Sequence, residues 1–125
     1  MTKTLSKRIQ FITHQGGKQI LLVDFSNCAA SDVERISRLV PDLVMAQPRG
    51  SVLLLADMTG VAFDKEALRT MKESAVFDKP FIKKTAWIGA GSFPSQFYES
   101  LKVFSRREFP AFKTREEALA WLLAD

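Results

Sequence analysis

The chain has 125 residues, 46% hydrophobic and 26% charged, with a formal charge of +4. That is the profile of one folded domain and not of a disordered chain. Its lone cysteine, Cys28, excludes an internal disulfide, and with His14 as the sole histidine a His/Cys zinc centre is excluded as well.

Between Arg8 and Thr13 apolar and polar residues alternate, with Ile9, Phe11 and Thr13 on one face. This is the period of a half-buried strand. Gly16-Gly17 follows, and two glycines tolerate the positive φ angles of a type I′ hairpin. The returning strand is Gln19–Phe25, whose run Ile20-Leu21-Leu22-Val23 reads as buried on both faces. Ser31 with Glu34 forms a candidate capping box. It opens a helix whose stripe Val33, Ile36, Val40, Leu43 and Val44 keeps helical spacing. Pro41 lies inside that stripe. A mid-helix proline costs about 3 kcal/mol, yet the stripe stays in phase across it, so a kinked helix is expected in preference to two helices.

Gln47-Pro48-Arg49-Gly50 is a turn, and Val52-Leu53-Leu54-Leu55 is a second buried strand followed by the loop Asp57-Met58-Thr59-Gly60. Asp64 caps a helix running to about Phe77, with Leu68, Met71, Ala75 and Val76 inward. Lys79-Pro80 ends it. Thr85–Ile88 is a third core strand, followed by Gly89-Ala90-Gly91-Ser92. Ser92 or Phe93 then caps a helix with Pro94 in its first turn and Phe97, Leu101 and Phe104 on its apolar face. Glu108–Phe112 is a short strand that Pro110 confines to an edge or a strand end. Thr114 and Glu117 form a second capping box, and the last helix buries Ala118, Leu119, Trp121 and Leu122. The order predicts a single α/β domain over residues 1–125. Its sheet is mixed and mostly parallel, with about five strands, an N-terminal β-hairpin and about four helices.

Ligands of open α/β sheets sit outside the carboxyl ends of the strands. Those ends carry Asp24 with Ser26, Asp57 with Thr59, and Gly89 with Gly91 and Ser92. Two neighbouring carboxylates could hold magnesium, but Asp at a strand end is more often a turn former. Asp57 also lacks the second Asp that an aspartyl phosphatase uses as general acid. Gly89-Ala90-Gly91 could be an anion nest, yet the third glycine of the dinucleotide fingerprint is missing. Cys28 precedes a helix N-terminus that could activate it; ordinary packing is the plainer role. No nucleophile elbow and no Ser/His/Asp set is present. The expectation is a protein without catalytic residues, metal or cofactor. From Lys79 to Arg107, six cations (Lys79, Lys83, Lys84, Lys102, Arg106, Arg107) stand against Glu99. Such a run suits phosphate, nucleic acid or an acidic partner, or is simply a solvated face. Nucleic acid is the less expected partner because no binding motif accompanies the charge. Aromatic residues crowd the second half (Phe77, Phe81, Phe93, Phe97, Tyr98, Phe104, Phe109, Phe112) and form either core or the lining of an apolar pocket.

The element order, the segments Gln47–Leu53 and Asp57–Val61, the stretch Lys79–Gly89 and the close Phe112–Leu122 together carry a resemblance. The chain resembles bacterial STAS domains, the fold of anti-sigma-factor antagonists. More specifically it resembles the SpoIIAA-like proteins related to STAS and CRAL-TRIO domains. The resemblance implies a small sheet-and-helix domain that often self-associates. In STAS antagonists a kinase phosphorylates a serine at the start of a helix. Here Asp64-Lys65-Glu66-Ala67 occupies that stretch, and Glu66 stands near the missing serine. CRAL-TRIO relatives bind lipids in an apolar cavity.

Two functions follow as expectations. The first is a non-catalytic regulatory or protein-interaction module, with Asp57, Met58, Thr59, Asp64, Lys65 and Glu66 facing a regulatory partner. The second is a carrier of a small apolar or lipid-like ligand contacted by Lys83, Lys84, Gly89, Gly91, Ser92, Phe97 and Tyr98. A homodimer is expected from the resemblance. No apolar run nears the roughly 20 residues of a membrane span. The basic start lacks a secretory apolar region, and the single cysteine fits a reducing compartment, so a cytoplasmic protein without a membrane span is expected.

Overall fold

Strands lie side by side in the order in which the chain makes them. The computed structural model describes residues 5–124. β1 (Ile9–Thr13) runs antiparallel to β2 (Gln19–Asp24), with Ile9 opposite Val23 and Thr13 opposite Gln19. β3 (Val52–Asp57), β4 (Ile82–Ile88) and the two-residue β5 (Ala111–Phe112) then add in parallel. The helices are α1 (Ala30–Met45), α2 (Lys65–Asp78), α3 (Ser95–Ser105) and α4 (Arg115–Leu123). The α/β class, the mixed sheet of five strands, the N-terminal hairpin and the four helices are as expected.

This strand order places the helices. Each parallel step advances in the same direction, so right-handed crossovers carry α1, α2 and α3 to one face. There α1 packs on α2 and α2 on α3. α4 follows the last strand and covers the opposite face, against β3, β4 and β5. Strand residues divide accordingly. Leu21, Val23, Leu54, Ala56 and Trp87 point to the three-helix face. Ile20, Leu53, Leu55, Ala86 and Ile88 point to α4, beside Ala118 and Leu122. The continuous apolar runs of β2 and β3 are thus explained by burial on both sides. Among the described residues no helix is long and apolar enough to cross a membrane.

Local expectations are met in part. Both hairpin glycines have positive φ (83° and 80°). The loop is longer than a two-residue turn, however, because His14 N–H closes it by donating to the Lys18 carbonyl at 2.8 Å. The Ser31–Glu34 capping box does not form. The helix has already begun at Ala30, and the Ala29 carbonyl accepts from Asp32 and Val33 N–H at 3.0 and 3.1 Å. Glu34 instead pairs with Arg38 at 3.6 Å and accepts from Thr70 Oγ1 at 3.4 Å. α1 passes through Pro41 as one helix. Proline has no N–H, which orphans the carbonyl four residues back. That carbonyl is Ser37's, and Ser74 Oγ of α2 donates to it at 2.7 Å. The other two caps behave as expected. Asp64 Oδ1 accepts from Ala67 N–H at 2.8 Å, and Thr114 Oγ1 from Glu117 N–H at 3.1 Å. Pro94 takes the N-cap position of α3 and not its first turn. Val76 and Trp121, expected inward, are 46% and 37% exposed.

Candidate functional site: the groove between α2 and α3

A singly wound sheet has no point where strand order reverses, and it is such a reversal that opens a ligand crevice at the strand ends. The carboxylates there act as turn formers. Asp24 and Asp57 are neighbours in register. Asp24 Oδ1 accepts from Ser26 N–H at 2.9 Å and Asp57 Oδ1 from Thr59 N–H at 3.0 Å. Arg8 approaches Asp24 at 3.8 Å and Arg115 approaches Asp57 at 3.9 Å. Cys28 is buried, and burial pushes its thiol upward against the pull of Arg8, the reverse of an activated nucleophile.

The expected partner surface is divided. Met58 is only 1% exposed and belongs to the core, so its side chain cannot touch a partner. It sits one residue beyond β3 on a chain that turns inward, where Met58 N–H donates to the Ile88 carbonyl at 2.8 Å. Thr59 is exposed, and its backbone and hydroxyl stand where a Cβ on Gly89 would be. Gly89 also has φ +67°, so this glycine allows two loops to meet; a ligand is not needed to explain it. Gly91 faces open space. The Ser92 side chain lies outside the described residues. Asp64 is tied up in its cap, whereas Lys65 and Glu66 are exposed on the first turn of α2.

The expected ligand contacts do not come together. β4 departs from regular register, with Val52 opposite Ile82 but Leu53 opposite Lys84. Lys83 is the extra residue of a bulge, and the bulge turns Lys84 toward α4. There Lys84 Nζ donates to the Trp121 and Ala124 carbonyls at 2.8 Å and lies 5.0 Å from the Trp121 ring. Phe97 and Tyr98 pack on the other side of the sheet. Tyr98 donates to the Phe109 carbonyl at 2.5 Å, and burial raises its hydroxyl pKa. Several of the aromatic residues form a core cluster of tilted and edge-on rings. Trp87 meets Phe93, Tyr98 and Phe109 at 4.9, 5.3 and 5.4 Å, and Phe63 meets Phe93 and Phe97 at 4.5 and 5.5 Å.

The basic run acquires a structural account. Lys79 Nζ donates to the Arg106 carbonyl at the end of α3 (3.0 Å), Lys84 to the last turn of α4, and Arg107 Nη1 to the Ala75 carbonyl in the last turn of α2 (3.1 Å). Cations at helix C-termini satisfy orphan carbonyls and the negative end of the macrodipole. Three helix ends meet near one corner, and each is closed by a cation from a different element.

Beneath that corner lies a mostly apolar pocket with a few polar groups in its wall, which the sequence concealed. A cavity of about 60 Å³ between α1, α2 and the sheet is walled by Val40, Leu54, Met71 and Leu101, with Ser37, Asp78, Thr85 and Arg107 at one side. Arg107 Nη2 donates to Thr85 Oγ1 at 2.6 Å. Asp78 is 4% exposed and Ser37 3%, and Asp78 Oδ1 and Ser37 Oγ have no hydrogen-bond partner among the described residues. Burial drives the Asp78 carboxyl up to about 7 against the pull of Arg107, and burial lowers Arg107 to about 10 with Asp78 opposing. At about 30 Å³ per water, the space suits a pair of ordered waters.

Larger open features lie elsewhere, one of them a groove of about 580 Å³ between α1 and α2 lined mostly by charged and polar residues. A groove of about 610 Å³ runs between α2 and α3, with Leu68, Phe97 and Phe104 as its apolar lining and Lys65, Arg69, Lys72 and Glu73 along the α2 side. Phe104, expected on the buried face of α3, is 55% exposed, and the Lys72 ammonium sits 5.4 Å from its ring. Val103, next to Phe104 on the last turn of α3, is 75% exposed; Phe77 (63%), on the last turn of α2, lies toward α1 beside Pro41 and Met45. The sequence carried a trace of this groove: α3 has apolar residues at 97, 101, 103 and 104, more than one buried stripe can use. No family model matches the chain, and no match is found among curated proteins or solved structures.

Proposed function

We propose that the protein is a non-catalytic interaction module, of the STAS or SpoIIAA-like kind that its sequence resembles, and that it engages a different protein through the α2–α3 face. The observation that carries this is the apolar groove with Phe104 exposed at its edge. Isolated surface apolar residues are ordinary, whereas here Leu68, Phe97 and Phe104 lie together beneath a charged rim, the arrangement that supports an interaction surface. Of the partner surface expected from the sequence, Lys65 lines this groove, whereas Glu66 lines a groove between α1 and α2. A second copy brings this groove no acidic flank, because its own rims carry Lys65 and Lys72 on one side and the uncharged Gln96 and Ser100 on the other. Self-association, which the resemblance implies, would use another face. The carrier reading draws little support from the core cavity of about 60 Å³, below the 300 Å³ or so at which small-molecule sites begin; the α2–α3 groove passes that size, and the bound mass decides between a small molecule and a protein there.

A photo-crosslinking residue in place of Phe104 tests the proposal inside cells, with the same residue in place of Arg35 as control. The expected result is a discrete protein adduct at position 104 alone, whose purified protein binds the purified chain and is lost on Val103→Ser. No adduct at 104, or equal adducts at both positions, overturns it. A reproducible small-molecule mass in native mass spectrometry would transfer support to the carrier.

A further inference from the structure

We infer that the partner presents an amphipathic helix with an acidic flank, laid along the α2–α3 groove; this rests on the interaction reading above. α2 and α3 pack side by side, and both follow parallel strands, so they run in the same direction and leave a trough between them. The lining runs from Lys65 to Glu73 on α2 and from Gln96 to Phe104 on α3, so the trough is about 12 Å long at 1.5 Å per residue, a little over two turns of a docked helix. Its apolar lining comes from Leu68 and Phe97, with Phe104 at one end. An apolar stripe in such a trough is the usual way in which one helix recognises a groove.

Charge settles which helix fits. On the α2 side Arg69 pairs with Glu73 at 3.4 Å, so these two cancel. Among the described residues neither Lys65 nor Lys72 has a carboxylate partner. They are seven positions apart, two turns or about 10.5 Å along α2. A partner helix with acidic residues two turns apart on one flank meets both lysines at once. The α3 side offers Gln96 and Ser100, one turn apart and uncharged. The charge demand therefore falls on one flank of the partner alone, which also orients it. A bilayer is the weaker candidate, because the apolar lining is concave and Leu68 is 8% exposed.

The experiment uses two stapled helical peptides with an identical apolar stripe, one carrying Glu and the other Lys at the two flank positions. Binding to the full chain is followed by fluorescence anisotropy. The Glu peptide should bind, and weaken as salt is added. Lys65→Glu with Lys72→Glu should lower its affinity by about tenfold, and the Lys peptide should recover that loss on the doubly substituted protein. Phe104→Ser should weaken both pairings. Equal binding of the two peptides to the unsubstituted chain, or no recovery on charge reversal, overturns the acidic helix. If position 104 still crosslinks a protein in that case, the interaction reading stands and only the partner's chemistry is wrong. Binding to anionic phosphatidylserine vesicles in place of either peptide, lost on the same substitutions, would overturn the helix in favour of a membrane surface.

Discussion

The two faces of the sheet are made from the same strands and differ in what covers them. Three helices and an aromatic cluster around Trp87 lie on one side, and the nine-residue α4 lies alone on the other. The deeper side can bury a carboxylate and a guanidinium, Asp78 and Arg107. The shallower side buries only aliphatic residues, and its helix is held at its end by lysines: Lys84 binds the Trp121 and Ala124 carbonyls, and Lys18 binds the Leu123 carbonyl at 3.0 Å. Depth of cover decides where charge is sequestered and where it stays at the rim.

Trp87→Ala breaks the deeper face at its centre and should cost about 3–5 kcal/mol, while Leu122→Ala under α4 should cost about 2–3 kcal/mol because a single helix can settle onto the sheet. Urea unfolding of both variants checks the order, and a larger loss for Leu122→Ala would contradict the difference between the faces.

Asp78 sharpens the comparison through pH. Its folded carboxyl sits near 7 against an ordinary value of 3.8, so the folded state keeps a proton that the unfolded state has released. This contribution is fully present below the ordinary value and is lost as pH rises through about 7. Stability should fall by about 3 kcal/mol between about pH 5 and about pH 7, and Asp78→Asn should flatten that slope. A slope unchanged by the substitution would remove Asp78 as its source.

Gly89 joins the loops after β3 and β4. Gly89→Ala places a Cβ on Thr59 at a positive φ and should cost about 2 kcal/mol. Hydrogen exchange should quicken at both loops, and exchange confined to one of them would show that they are not coupled. The smallest effects concern the caps. Asp64→Ala and Thr114→Ala should each cost about 1 kcal/mol in thermal unfolding. Only the second should raise exchange within α4 on the shallow face.

Much of this was visible along the chain. Period-two and 3.6-residue spacing located the strands and helices because each is a property of one element and its own buried face. The caps Asp64 and Thr114 were legible for the same reason, since donor and acceptor are three residues apart. Ser31 failed the same test because a backbone turn at Ala29 started the helix before the side chain was needed. Met58 looked like a loop residue because the inward turn after β3 is dictated by its bond to Ile88 on the neighbouring strand.

The sequence by itself determined the class of fold, the order of its elements and which runs are buried on both faces, since those follow from local periodicity and turn chemistry. The tertiary structure decided the rest. It brought Ser74 to the carbonyl that Pro41 orphans, 37 positions away, and Arg107 to the end of α2, 32 positions away. It left Asp78 facing a small cavity, and it left Phe104 uncovered between two helices. Each depends on which surfaces meet in space, and that is set by the direction of successive crossovers, not by any short stretch of residues.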